Sequence, residues 1–241
     1  MTVSVPPHAQ PQGVTSRWND RSTVEGFTRS APNQRLIRFA EELGRHIRGR
    51  RLAIDVGCGA GRNSIPLATL GWDVLGIDMS WPMLHAAGDR FRQQDGQLSR
   101  RIRLARASMD RLPAASGCAD LVVAHGIWNL ARTSREFRRA IREAARVARQ
   151  GAALFVFTFS RHTLPPTAEP LAGEPFVFTQ FSGSPQCFLT ADQLAQELAD
   201  AGFMPDPEEP LRELNRLAPR ALTTASGPVI YEGGFRRSLD R

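Results

Sequence analysis

Short apolar runs alternate with helix-length segments along the middle of the chain, and this order limits the fold more than any other feature. Apolar runs at 52–56, 73–77, 102–107, 120–125 and 152–159 predict strands. Segments with the apolar spacing of helices lie between them, at 63–70, 81–91 and 133–150. Strands that alternate with helices in this way predict a parallel sheet covered by helices, joined by right-handed crossovers. The chain is therefore predicted to adopt an α/β fold.

The flanking segments complete the predicted organisation. Residues 1–16 lack a periodic apolar pattern, which predicts a mobile tail, and a helix with one buried face follows Pro32. Thr190 begins a later helix with Gln193 at the capping-box position, and weak alternation at 228–235 predicts a last strand. We expect a single domain over 17–241, made of an N-terminal lid and helix (17–50), a ligand-binding core (51–159), an insertion (160–188) and a C-terminal part (189–241).

Composition narrows the class of protein. The net charge of +7 and the pI near 10.9 suggest nucleic-acid binding, but the chain has no lysine, and its densest arginine run, spaced three and four apart over 135–149, predicts the water-facing side of one helix. Three distant cysteines support neither a disulfide framework nor a metal site. No apolar run reaches about 18 residues and no leader is visible, so we expect a cytoplasmic protein without membrane contact.

A glycine-rich turn stands where the first strand gives way to a helix. Glycines there let the chain turn sharply and let a ligand lie against the backbone. A nicotinamide-binding fingerprint needs a sixth-position glycine, where this chain has Arg62, so a reductase is disfavoured. The segment resembles instead the first motif of class I methyltransferases, an acidic residue followed by G-x-G-x-G, which is matched here by Asp55, Gly57, Gly59 and Gly61.

This resemblance covers about residues 52–159 and implies a Rossmann-like fold. The expected sheet is doubly wound, mostly parallel and seven-stranded, with helices on both faces and an antiparallel C-terminal strand. The implied cofactor is S-adenosylmethionine, which leaves as S-adenosylhomocysteine after methyl transfer. The carboxylate of Asp78, just beyond the second strand, is expected to bind its ribose. The expected cofactor-binding set is Asp55, Gly57, Cys58, Gly59, Gly61, Asn63, Asp78, Met79, Ser108, Met109, Asp110 and His125.

One position departs from the family pattern. The family usually has aspartate where this chain has Ser108, in the stretch that lines the adenine ring. The contact to the adenine amino group is therefore expected from the Ser108 hydroxyl or from the shifted carboxylate of Asp110, with Met109 beside the ring.

The catalytic and substrate residues are less constrained by the sequence. His125 follows the fourth strand and is predicted to be a catalytic base or a contact to the sulfonium, with a structural histidine as the alternative. An aromatic N-terminal lid and a phenylalanine-rich insertion are predicted to contact the substrate, although both could serve packing alone. The expected substrate-contacting residues are Trp18, Phe27, Arg29, Trp128, Phe178 and Phe181.

The sequence favours a methyltransferase acting on a small-molecule acceptor, as a monomer or homodimer. A nucleic-acid methyltransferase is the main alternative, but His125-Gly126-Ile127-Trp128 stands where amino-nucleobase methyltransferases carry an Asn/Asp-Pro-Pro-aromatic segment. A non-catalytic nucleotide-binding partner is the other alternative. The identity of the acceptor atom stays open.

Overall fold

Five parallel strands form the first part of the central sheet in the computed structural model, which describes residues 17–216 and 227–239. Their order in space is β3-β2-β1-β4-β5, so the chain crosses over from β3 to β4 on the far side of β1. All five strands were predicted from their apolar runs. They are β1 (Leu52–Val56), β2 (Asp73–Asp78), β3 (Ile102–Arg106), β4 (Ala119–His125) and β5 (Ala148–Phe159).

The remaining strands extend the sheet and add a small second one. β6 (Val177–Phe178) and β7 (Gln186–Cys187) pair with each other apart from the main sheet, while β8 (Phe203–Pro205) and β9 (Arg212–Leu214) both pair with β10 (Ile230–Arg237). β10 lies antiparallel to β5. The expected mostly parallel sheet with an antiparallel C-terminal strand is thus confirmed, and the short β9 makes eight strands where seven were predicted.

Helices cover both faces of the sheet. On one face, α2 and α3 pack against alternate residues of the central strands, such as Ala53, Val123 and Phe155. On the other face, α6 and α7 pack against the residues in between, such as Ile54 and Val122. Two apolar layers therefore enclose the sheet. The helices are α1 (Arg21–Arg29), α2 (Gln34–His46), α3 (Ser64–Thr69), α4 (Trp81–Arg92), α5 (Gly96–Arg100), α6 (Ser134–Val147) and α7 (Ala191–Asp200).

Side-chain caps fix where several helices begin. Asn33 accepts a hydrogen bond from the Leu36 N–H at the start of α2. Thr190 and Gln193 form the predicted capping box of α7, in which each side chain bonds the other's backbone. These caps define the first turns of α2 and α7.

Two segments differ from the predicted elements. α6 ends at Val147 rather than at residue 150, because the chain is already extended at Ala148, so Arg149 lies on β5 and not on the arginine face of the helix. The phenylalanine-rich insertion carries the β6–β7 pair and packs onto the core through Phe176 and Phe188, both buried.

Two expectations remain, a mobile N-terminal tail and the lack of membrane contact. The predicted tail at 1–16 lies outside the described residues. In the part of the chain that the structure describes, none of the helices has the length and apolar character needed to cross a membrane.

Candidate functional site

The glycine turn after β1 adopts a backbone conformation that leaves its main chain uncovered by side-chain Cβ atoms. Gly57, Gly59 and Gly61 have φ angles of 73°, 53° and 75°, in the left-handed region that disfavours residues with a Cβ. The N–H groups of Gly57 and Cys58 both donate to the carbonyl of Ile77, at 2.7 and 2.9 Å. The turn is therefore tied to β2 through main-chain hydrogen bonds.

Asp78 lies at the carboxyl end of β2, beside this turn. Its Oδ2 accepts from the Gly59 N–H at 2.9 Å and its Oδ1 from the Ser80 N–H at 2.8 Å. Burial raises the pKa of Asp78, although hydrogen bonds from the backbone of Ser80, Gly59 and Met79 partly oppose the shift. A carboxylate has about four lone-pair sites, so beside these backbone donors it can still accept a hydrogen bond from a ligand.

A cavity of about 370 Å³ opens at this edge of the sheet. Its size falls within the roughly 300–1,000 Å³ range of small-molecule sites. The ends of β1, β2, β3 and β4 all contribute to it, as expected for ligand binding at the carboxyl edge of an open α/β sheet. The lining residues are Trp18, Asn19, Phe27, Val56, Gly57, Gly59, Ile77, Asp78, Met79, Ser80, Met83, Arg106, Ala107, Met109, His125, Gly126, Ile127 and Leu130.

Eight of the residues singled out from the sequence share this lining: Gly57, Gly59, Asp78, Met79, Met109, His125, Trp18 and Phe27. They come from four strand ends and from the N-terminal helix. The other predicted cofactor residues lie behind the lining.

Four of those residues support the turn from within. Asp55 is buried and accepts a hydrogen bond from the Ser64 hydroxyl at 2.6 Å, while its burial raises its pKa to about 6. Cys58 is buried, and burial raises the pKa of its thiol. Gly61 passes so close to Phe91 that a Cβ would lie 2.6 Å from that ring. Asn63 accepts a hydrogen bond from the Asn33 N–H at 3.0 Å.

The segment expected at the adenine ring is arranged around an internal hydrogen bond. The Ser108 hydroxyl donates to Asp110 Oδ1 at 2.5 Å, and Arg139 pairs with the other oxygen at 2.5 Å. The Ser108 hydrogen bond, together with the Arg139 charge, lowers the pKa of Asp110. Neither Ser108 nor Asp110 lines the cavity, whereas their neighbours Ala107 and Met109 do.

Three side chains contact the His125 ring: Arg62, Asn33 and Phe157. Arg62 Nη2 donates to its Nδ1 at 3.1 Å, and the Asn33 side-chain amide lies 3.0 Å from its Nε2. One face of the ring stacks on Phe157, with centroids 4.2 Å apart and planes 13° from parallel. Burial and the nearby Arg62 charge lower the pKa of His125 to about 3, so the ring is neutral at physiological pH.

The N-terminal lid packs over the glycine turn. Trp18 and Phe27 meet edge to face with centroids 5.6 Å apart, and the Ser80 hydroxyl donates to the Trp18 carbonyl at 2.9 Å. A Cβ at Gly59 would lie 3.6 Å from the Phe27 ring, so Phe27 lies beside the cofactor-side turn. Arg29 is exposed in the last turn of α1 and is not part of the lining.

The other predicted substrate residues lie away from the cavity. Trp128 is buried and contacts Phe137 edge to face. Phe178 is buried next to Phe188, and Phe181, with 42% of its surface exposed, meets Phe188 at 5.6 Å between centroids. These rings belong to the packing of the insertion against the end of β5.

Several residues of the site were not singled out from the sequence. Ile127 follows His125 by two positions and lies so close to the turn that a Cβ on Gly57 would be 2.8 Å from it. Asn33 joins the site because its amide bridges His125 and Glu232, the latter buried on β10. The sequence analysis noticed Arg62 only because it occupies the position where a nicotinamide-binding fingerprint has its last glycine. Asn33 was not considered from the sequence, although asparagine directly before a helix is a common N-cap, and nothing in the sequence pointed to Glu232.

A second cleft lies at the opposite, amino-terminal edge of the sheet. It measures about 450 Å³ and is rich in arginine, including Arg50, Arg100, Arg101 and Arg103. Asp73 in this cleft pairs with Arg50 and Arg101, at 2.8 and 3.2 Å. The cluster of positive charge is therefore separated from the carboxyl-edge cavity by the length of the strands.

Comparisons with known proteins agree with this architecture. Residues 53–151 match a family model described as a methyltransferase domain. A demethylmenaquinone methyltransferase from Renibacterium salmoninarum is 28% identical over 207 residues, which cover 79% of this chain and 74% of that protein.

Solved structures show the same fold. A SAM-dependent methyltransferase from Methanosarcina mazei superposes with a TM-score of 0.65 at 20% identity, covering 83% of this chain and 98% of that one. The 1,6-didemethyltoxoflavin-N1-methyltransferase of Burkholderia thailandensis, with 1,6-didemethyltoxoflavin and S-adenosylhomocysteine bound, superposes with a TM-score of 0.61 at 16% identity, covering 84% of this chain and 78% of that one.

Proposed function

We propose that this chain, a class I S-adenosylmethionine-dependent methyltransferase for a small-molecule acceptor, methylates a ring carbon of an apolar quinol-type compound. The observation that carries the proposal is the cavity at the carboxyl edge, where an open glycine turn and a carboxylate face a mainly apolar wall. The similarity to a demethylmenaquinone methyltransferase supports a quinol as the acceptor class.

The residues present suit the cofactor. Gly57 and Gly59 offer main chain without a Cβ, and the Asp78 carboxylate retains capacity to accept a hydrogen bond from a ribose hydroxyl. Met79, Ala107 and Met109 all line the cavity and give an apolar setting for a planar base. S-adenosylmethionine supplies an electrophilic methyl group on a sulfonium.

The far wall of the cavity suits an apolar acceptor. We use the term far wall for the lining residues that follow β4, which are Gly126, Ile127 and Leu130 together with the neutral His125 ring. Such a surface excludes water and holds a planar ring by shape, which favours alignment of two reacting carbons. The proposed reaction breaks the methyl–sulfur bond and forms a carbon–carbon bond, after which the ring hydrogen leaves as a proton to water.

A nucleic-acid acceptor is less well supported. The arginine-rich cleft that would attract phosphates lies at the opposite edge of the sheet from the cavity. A strand bound there would not bring its bases to the proposed site of methyl transfer.

Methyl transfer can be tested with a labelled donor. The acceptors are a chemically reduced 1,4-naphthoquinone with free ring carbons, its 2,3-dimethyl counterpart as the matched control, and total RNA. We expect label on the free-carbon quinol and none on the dimethyl compound or on RNA. Label on RNA, or on none of the three, would contradict the proposal.

A further inference from the structure

Both ring nitrogens of His125 are engaged by groups that lie outside the cavity lining. Arg62 Nη2 is 3.1 Å from Nδ1, and Asn33 Nδ2 is 3.0 Å from Nε2. Neither Arg62 nor Asn33 is among the lining residues, whereas His125 is. Each ring nitrogen is therefore in contact with a group that is not part of the cavity lining.

Both groups that face the ring nitrogens are donors. A guanidinium has only donors and stays charged, and the Nδ2 of the Asn33 amide also carries only hydrogens. A neutral imidazole has one lone pair and one N–H, so whichever nitrogen holds the proton, the lone pair faces a donor from Arg62 or from Asn33. The lone pair that a general base would use is thus already occupied.

The Asn33 amide is itself fixed by two other contacts. Its Oδ1 accepts from the Leu36 N–H at 2.9 Å, as the cap of α2, and its Nδ2 donates to Glu232. Turning the amide over would give a His125 Nε2–H an acceptor, but it would remove the cap and set Oδ1 against the Glu232 carboxylate. In either orientation Nδ1 remains with Arg62, and Nε2 faces Asn33.

The surrounding charges disfavour a second proton on the ring. Arg62 makes no ion pair within the described residues, so its positive charge acts directly on the neighbouring imidazole. Glu232, the nearest acid beyond Asn33, is engaged by Arg35, whose Nη1 lies 3.8 Å from Oε2. The Asp55 charge acts on Arg62, and its carboxylate accepts a hydrogen bond from the Ser64 hydroxyl. Burial acts in the same direction, and the pKa of His125 falls to about 3.

We propose that Arg62 and Asn33 are positioning residues that hold His125 as a neutral wall of the cavity, so that the site accepts molecules already nucleophilic without loss of a proton. The inference rests on the proposed function and narrows it. An electron-rich ring carbon of a quinol, a thiolate or an uncharged amine meets this condition. An alcohol or an amide, which must be deprotonated during attack, does not.

Histidine NMR titration tests the positioning role without any substrate. The chain has five histidines, and the His125 signals are assigned by their loss in His125→Phe. We expect His125 to show no titration between pH 5 and 8, and Arg62→Gln to raise its pKa by at least about one unit toward the ordinary value near 6.5. Arg90→Gln, which removes another partly buried arginine that donates to the Ala60 carbonyl at 2.8 Å, should leave it unchanged. A wild-type His125 that titrates near pH 6.5 would overturn the proposal.

Kinetics with the free-carbon quinol test the catalytic consequence. Removing a general base costs about 10²- to 10⁴-fold. We expect His125→Phe to lose less than tenfold in kcat, by the same factor at each pH from 6 to 9. A loss of a hundredfold or more, or a pH limb that disappears in the variant, would show that His125 acts as a base. If no acceptor is methylated at all, the proposed function is contradicted. The NMR titration of His125 needs no acceptor and still tests the positioning role separately.

Discussion

The two sides of the cavity are built in different ways. The glycine-turn side uses residues close together in the chain and joins them mainly through the backbone, as when Gly59 donates to Asp78. The His125 side joins side chains from distant segments, Asn33, Arg62 and Glu232, with 199 positions between Asn33 and Glu232. The first kind of site is encoded locally, whereas the second depends on the completed fold.

The difference predicts separate consequences for mutation. Changes on the turn side should alter the backbone against which the cofactor is proposed to lie, and thus both folding stability and cofactor affinity. Changes in the side-chain network should alter the rigidity of the far wall and leave cofactor affinity nearly intact.

The largest effect is expected from a methyl group at Gly57. Gly57→Ala places a Cβ 2.8 Å from Ile127 at a φ of 73°, whereas Gly59→Ala meets nothing closer than 3.6 Å. The left-handed conformation costs about 1–2 kcal/mol in both variants. Overpacking adds about 1–3 kcal/mol in Gly57→Ala alone. Urea unfolding should therefore show the greater loss for Gly57→Ala, and equal losses would mean that the Ile127 contact is unimportant.

A smaller effect, on cofactor binding, is expected at Asp78. Asp78→Ala removes the acceptor for the Gly59 and Ser80 N–H groups and for the proposed ribose hydroxyls. Loss of a hydrogen bond to a charged group costs about 1.5–3 kcal/mol, or roughly ten- to a hundredfold in Kd. Calorimetry with S-adenosylhomocysteine measures it. Asp89→Ala, at a surface pair with Arg92, serves as the control. Unchanged affinity in Asp78→Ala would place the cofactor elsewhere.

The smallest effect is expected at Glu232, on the far side. Glu232→Gln keeps an oxygen for the Asn33 amide but loses the charge next to Arg35, which costs about 0.5–1.5 kcal/mol of folding stability. We expect a lower melting temperature and an affinity for S-adenosylhomocysteine within about twofold of the wild type. If affinity fell as far as in Asp78→Ala, the two sides would not be independent.

Much of the fold followed from local patterns. The five parallel strands and the helices between them have apolar periodicities that a single sequence displays, and the α7 capping box was predicted residue by residue. The end of α6 was misplaced because Ala148 and Arg149 continue the helical spacing while tertiary pairing with Ala119 draws Ala148 into β5. The short β6, β8 and β9 have too few residues to show a period.

Only the part of the site that is formed by residues close together in the chain was predicted from the sequence. Gly57, Gly59 and Asp78 have neighbours in sequence that are also neighbours in space, so a motif can describe them. Ser108 and Asp110 lie in the expected stretch but hydrogen-bond to each other, whereas their neighbours Ala107 and Met109 line the cavity. The partners of His125 come from other ends of the chain, and their meeting depends on how β10 packs beside β5.

The chain at the end of β4, from His125 to Ile127, contacts both sides of the cavity. His125 stands against the distant network, and Ile127, two positions on, rests against Gly57. A displacement of the chain at this point would disturb donor and acceptor binding together, so evolution has little freedom to vary it. New acceptor preferences would arise more readily through the lid residues Trp18 and Phe27 or through Leu130, which can change without moving the tip of the strand.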